Sequence, residues 1–190
     1  MSKIRIGLAV CGSFCTLGKT LETAKGLTDL GYEITPILSP IVQTTDTRFI
    51  TAADFRQQIE DICNNSSITT IVDAEPIGPK KMFDAVVVCP CTGNTLAKLA
   101  YGITDTSVTM AVKAHIRNNR PAVVAVSTND ALSASAKNIG YLLNTKNYYF
   151  VPYKQDDPFS KERSIVADFS LIDQTVRYAL DGKQLRPIII

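Results

Sequence analysis

Several things are scarce in these 190 residues, and each scarcity excludes something. There is a single histidine, His115, and the spacing Cys89-Pro90-Cys91 is too tight for a zinc site, so no metal centre is expected. His115 itself is read as a half-buried residue on a helix rather than a catalyst, because no partner is placed for it. Charge of one sign is not in excess: the net charge of +2 gives no reason to invoke nucleic acid or an anionic membrane. No apolar run approaches the roughly 20 residues needed to cross a bilayer. The start, Met1-Ser2-Lys3-Ile4-Arg5, moves straight into an alternating strand with no signal-peptide core, so a cytoplasmic protein is expected. Its five cysteines are an odd set, and in a chain of this kind they are expected as reduced thiols. The dinucleotide fingerprint G-x-G-x-x-G is missing as well. Repeats, linkers and low-complexity segments are absent, and the length suits one domain, 1–190.

What is present is organised around Ala85 to Thr106. Ala85 to Val88 reads as a buried parallel strand, which Pro90 is expected to end because it cannot donate to a ladder. The small polar run Cys91-Thr92-Gly93-Asn94-Thr95 then leads into Leu96, Leu99 and Ile103 at helical spacing. A strand, a small-residue loop and a helix N-terminus make an anion site, with free backbone N–H groups and Thr and Asn donors. An ordinary βα loop with a good N-cap has the same composition.

The rest of the chain repeats this alternation. Lys3 to Val10 is a strand, Gly12-Ser13 a turn, and Leu17 to Leu30 a helix ended by Gly31. Glu33 to Leu38 is a second strand, followed by a hydroxyl-rich stretch with Ser39, Thr44, Thr45 and Arg48. The guanidinium of Arg48 suits a carboxylate, and equally a surface ion pair with Asp46. Ala52 to Cys63 is a helix, Ile68 to Val72 a short strand, and Ala74 to Pro79 irregular. Val108 to Asn118 is a helix, Ala122 to Val126 a buried strand ending in Ser127-Thr128-Asn129-Asp130, and Ala131 to Leu143 another helix. Tyr148 to Val151 is a strand, residues 152–159 a polar loop suited to a lid or a contact, and Phe169 to Leu180 the last helix, capped by Asp168. An apolar tail, Leu185 to Ile190, is expected to pack on the domain or on a neighbouring protomer. The βαβ order implies a three-layer α/β fold, a Rossmann-like or flavodoxin-like parallel sheet with helices on both faces.

Pro90, Asn94, Thr95, Lys98, Ala100, Gly102, Ile103 and Asp105 stand in an order that resembles the flavin-mononucleotide motif of the homo-oligomeric flavin-containing Cys decarboxylase family. The resemblance implies FMN as cofactor. Its contacts would be Gly12 and Ser13 in the first turn, a hydroxyl beyond the second strand (Ser39, Thr44 or Thr45), and Cys91, Thr92, Gly93, Asn94, Thr95 and Asp105. The family's decarboxylases carry a catalytic His where this chain has only Asp73 and Glu75 to titrate. They have Pro-x-Met-Asn where this chain has Ser127-Thr128-Asn129, which puts Asn129 on the residue that recognises a substrate carboxylate.

Further segments, among them Thr45-x-Thr47-Arg48-Phe49, Ile116 to Pro121 and Gln155 to Phe159, resemble one branch of that family over nearly the whole chain. That branch implies a sporulation enzyme which oxidises a partly reduced pyridine-2,6-dicarboxylate to the aromatic ring. A separate A subunit of Rossmann type would bring NAD(P). Asn129, with Arg48 or Lys113, would hold the dicarboxylate, and Glu75 is the acid in the place of the missing His. A symmetric, trimer-based homo-oligomer is also implied. A Cys-type decarboxylase and a non-catalytic support subunit remain as alternatives.

Overall fold

The computed structural model describes residues 3–190. Seven strands form one mixed sheet: β1 (Arg5–Val10), β2 (Glu33–Leu38), β3 (Ala85–Cys91), β4 (Ala122–Thr128), β5 (Tyr148–Phe150), β6 (Tyr153–Gln155) and β7 (Ile165–Ala167). The first five are parallel and run in the order β2-β1-β3-β4-β5. This is the doubly wound flavodoxin-like arrangement, whose direction of winding reverses between β1 and β3. The antiparallel pair β6–β7 was not expected from the alternation. It joins the far end of β4, where Ser127 faces Val166 and Thr128 faces Ile165.

Among the described residues eight α-helices accompany these strands: α1 (Leu17–Asp29), α2 (Pro40–Thr44), α3 (Ala52–Cys63), α4 (Ile71–Ala74), α5 (Gly93–Tyr101), α6 (Ser107–Ile116), α7 (Ala136–Leu143) and, after the last strand, α8 (Ile172–Leu180). Both faces of the sheet are covered: α1 and α8 pack against β3, and α6 lies across β1 to β4. That is why every residue of β3 is buried, as a continuous apolar strand in a covered parallel sheet should be.

Four local expectations are corrected. β3 does not stop at Pro90 but runs through it to Cys91. Val88 faces Val124 and Cys91 faces Val126, so β3 carries one extra residue there, and a bulge is where a strand tolerates proline. The segment after Ile68 is not a strand: Ile68 makes one bridge to Ile37, and α4 then begins at Ile71, where the Thr70 side chain accepts from Asp73 N–H. The helix expected from Ala131 begins at Ala136, because Asp130 to Ser135 is folded into turns. His115 is fully buried, with Nε2 3.1 Å from the Pro121 carbonyl oxygen.

The apolar tail closes on its own chain. Tyr153 N–H donates to Ile188 C=O (3.0 Å) and Ile190 N–H to Tyr153 C=O (3.1 Å), which extends the sheet beyond β6. Among the described residues no helix is long and apolar enough to cross a membrane.

Candidate flavin site at the strand ends

β1, β3 and β4 all end on one edge of the sheet, and the loops leaving them surround a cavity of about 790 Å³. Gly12, Ser13 and Phe14 contribute from β1, Thr92, Gly93 and Asn94 from β3, and Ser127 to Asp130 from β4. The segment between β6 and β7 adds Asp156, Lys161 and Ser164 on the remaining side. The carboxyl ends of strands flanking a change of winding direction are where open α/β sheets bind ligands. A second groove, about 510 Å³, lies between α1 and residues 166–173, away from these loops.

The loop after β3 is built as its sequence suggests. Thr92 is the N-cap of α5, and its hydroxyl accepts from Thr95 N–H at 3.4 Å. Thr95 is buried beneath the loop, whereas Asn94 is exposed to the cavity. Cys91 is also buried, so its side chain does not line the cavity. Burial pushes the Cys11 thiol up to about 11 and that of Cys91 well above its ordinary value. Protonated, buried thiols are packing groups here rather than nucleophiles.

The first turn brings Ser13 beside β4: Ser13 Oγ lies 2.9 Å from Ser127 Oγ, a link spanning the end of β3. None of the three candidate hydroxyls beyond β2 lines the cavity, and the structure separates them. Thr44 Oγ1 donates to Pro40 C=O at 3.0 Å and is exposed, and Thr45 is half-buried at the end of α2. Ser39 is 6% exposed, and its Oγ has no hydrogen-bond partner within the protein. Its N–H donates to Val10 C=O (3.1 Å), which places Ser39 next to the end of β1. An orphaned buried hydroxyl beside a Gly-Ser turn fits an anionic ligand group better than a spent one.

Asn129 is exposed and lines the cavity on the side of β4. Arg48, Glu75 and Asp105 do not line it. The Arg48 guanidinium stacks on the Phe49 ring at 4.8 Å, and Asp46 accepts from Ala52 N–H instead of pairing with it. Glu75 is exposed on the crossover between β2 and β3, and Lys113 is exposed on α6. Asp105 is held by Lys98 at 2.8 Å, beyond the C-terminal end of α5.

Sequence reasoning missed Ser127, Thr128, Asp130, Ser135, Lys19 and Lys161. Thr128 and Ser135 donate to the Asp130 carboxylate (2.6 and 3.0 Å), while Lys161 pairs with Asp156 within the β6–β7 segment. A run of small hydroxylated residues around one aspartate, Ser127 to Ser135, was the available signal.

Sheet order and cavity together define a doubly wound α/β protein with an open cavity at the switch point. The chain belongs to the Flavoprotein family, whose model matches residues 1–169. It is 45% identical over 186 residues to the B subunit of dipicolinate synthase from Bacillus subtilis, covering 98% of this chain and 93% of that protein. The crystal structure of the corresponding B subunit from Bacillus halodurans matches with a TM-score of 0.91 at 40% identity, over 100% of this chain and 98% of that one. The FMN-dependent cysteine decarboxylase SpaF shares the fold, with a TM-score of 0.70 at 24% identity over 93% of this chain and 97% of its own.

Proposed function

We propose that this chain is the flavin-binding B subunit of a dipicolinate synthase. It would hold FMN at the ends of β1, β3 and β4, and with an NAD(P)-binding A subunit it would oxidise a dihydrodipicolinate, or a hydroxytetrahydro-dipicolinate with loss of water, to dipicolinate. The convergence of Gly12-Ser13, Thr92-Gly93-Asn94 and Asn129 on one cavity carries the flavin reading. The choice of substrate rests on the end-to-end likeness to the Bacillus subtilis protein.

Gly12, Ser13 and Ser39 would take the phosphate. The N-terminus of α5 already faces a carboxylate, that of Asp130 beside Gly93, so the loop at Asn94 is left for the flavin ring. When bound, FMN supplies an acceptor for the two electrons that leave as the substrate ring becomes aromatic. Asn129 would donate to a substrate carboxylate and orient the ring. Arg48 and Glu75 sit outside this protomer's cavity, so they would serve a site only across a contact between copies. A trimer-based assembly is supported by the apolar side chains left exposed beside them in the chain: Phe49 is 53% exposed and Val72 76%. Light scattering at micromolar concentration checks this, and a monomer would remove Arg48 and Glu75 from the reaction.

The purified protein is expected to be yellow, and heat release with chromatography to yield FMN. Recovery of FAD would contradict a site with no pyrophosphate fingerprint. Ser39→Ala separates the phosphate site from the fold. Removing an unsatisfied buried hydroxyl should leave the flavin-free protein as stable or up to about 1 kcal/mol more stable. The same change should weaken FMN roughly tenfold, the worth of one hydrogen bond to a charged group. Urea unfolding and fluorescence titration of FMN measure the two effects, and an unchanged FMN affinity would take Ser39 out of the site.

A further inference from the structure

Gly93, the first residue of α5, lies against three side-chain oxygens of the turn that follows β4. A Cβ built on it would meet Asp130 Oδ1 at 2.6 Å, Ser135 Oγ at 2.7 Å and Thr128 Oγ1 at 2.8 Å. Those oxygens are tied to one another. Thr128 Oγ1 donates to Asp130 Oδ1 at 2.6 Å, and Ser135 Oγ lies 3.0 Å from both carboxylate oxygens. The backbone gathers on the same residue, since Asp130 C=O accepts from Ser133 N–H (3.0 Å) and Ser135 N–H (3.2 Å). Asn129 sits inside this turn, and Asn94 directly follows Gly93. The two exposed amides of the cavity are therefore carried by loops that meet at the Asp130–Gly93 contact.

We propose that Asp130 is a positioning residue: its carboxylate locks the turn bearing Asn129 against the N-terminus of α5 bearing Asn94, and Gly93 leaves the room for that lock. This rests on the reading that the cavity takes FMN between the two loops. Three oxygens spent on one another are poor ligands but a stiff buttress, because each holds the rotamer of the next. The carboxylate also stands against the N-terminal end of α5, beside Gly93.

Gly93→Ala, Asp130→Ala and the double variant, made in the full chain, test the lock by FMN titration and urea unfolding. Each single change is expected to weaken FMN by roughly tenfold or more, as expected where positioning of a binding loop is lost. The double variant should be no weaker than Asp130→Ala alone. Losing the carboxylate removes the nearest clash and frees the Thr128 and Ser135 hydroxyls, no longer bonded to it, to turn away from the new methyl. Asp130→Asn keeps an acceptor for Thr128 and should stay within about threefold of the parent. Multiplied losses in the double variant would overturn the proposal. So would an unchanged FMN affinity accompanied only by a lower urea midpoint, the signature of a merely structural residue. If the parent protein itself takes up no FMN, the functional reading fails separately and the lock is read from unfolding. A double variant no less stable than Asp130→Ala supports it, and additive losses overturn it.

Discussion

Asn94→Leu is expected to give a colourless protein, whereas Asn129→Ala should stay yellow and lose its hold on substrate. Both side chains are exposed to the same cavity, but they stand on different walls of it. Asn94 is the second residue of α5, where the helix presents unpaired N–H groups and any added bulk enters the space proposed for the ring. Leucine there removes two donors and an acceptor and fills space, so flavin should be lost outright. Asn129 follows β4, and its truncation removes a hydrogen bond without adding volume. A hydrogen bond to a charged carboxylate is worth roughly 1.5–3 kcal/mol, which is about ten- to a hundredfold in affinity or rate. Flavin stoichiometry, measured beside dipicolinate formation with the A subunit present, separates the two effects. Loss of flavin from Asn129→Ala with retention in Asn94→Leu would mean that the two walls have been exchanged. Full activity and full flavin in both would remove the cavity from the chemistry.

The second large effect is on stability and comes from His115, at the opposite end of β4. Burial holds its imidazole down to about 4 from an ordinary 6.5, against the Pro121 carbonyl, which favours the protonated ring; Arg120 adds to the depression and Asp84 opposes it. Nδ1 is buried without a partner. Because the folded value lies below the unfolded one, the unfolded chain takes the proton first. The stability contributed by the neutral ring is therefore complete above pH 6.5 and is lost as pH falls from there through 4. At pH 4.5 this linkage should cost roughly 2–3 kcal/mol relative to neutral pH, on the order of a hundredfold in the folding equilibrium. Asp84 does not confuse the window. Burial works against its ionisation, but Arg5, bonded at 2.9 and 3.0 Å, and Arg120 keep its carboxyl below the usual range. Urea unfolding of the parent and of His115→Phe at pH 7.5 and 4.5 measures the difference. The phenylalanine variant should lose most of the parent's acid sensitivity, and equal slopes for the two would show that His115 does not titrate in this range.

These two residues also mark how far the sequence could be read. Asn94 was legible because everything that places it is local: an apolar strand before it, a Thr N-cap two residues away, and a helix whose Leu96 and Leu99 face the core. His115 was misjudged because its depth depends on α6 lying across four strands, and nothing within a turn of His115 reports that. Pro90 was misjudged for a related reason. A proline costs a ladder bond only where the partner strand demands one, and the extra residue in β3 removes that demand opposite β4.

The alternation of strands and helices, the Gly-Ser and Gly-Asn loops at the strand ends and the flavin-type motif follow from the sequence, because burial runs, caps and small-residue turns are set by neighbours along the chain. Which of three hydroxyls beyond β2 stays unsatisfied, which candidate side chains miss the cavity, and how Asp130 meets Gly93 were decided only in three dimensions. Each depends on groups tens of residues apart that become neighbours through the winding of the sheet. Hydrogen bonding and excluded volume act on that distance in space, not on distance along the chain.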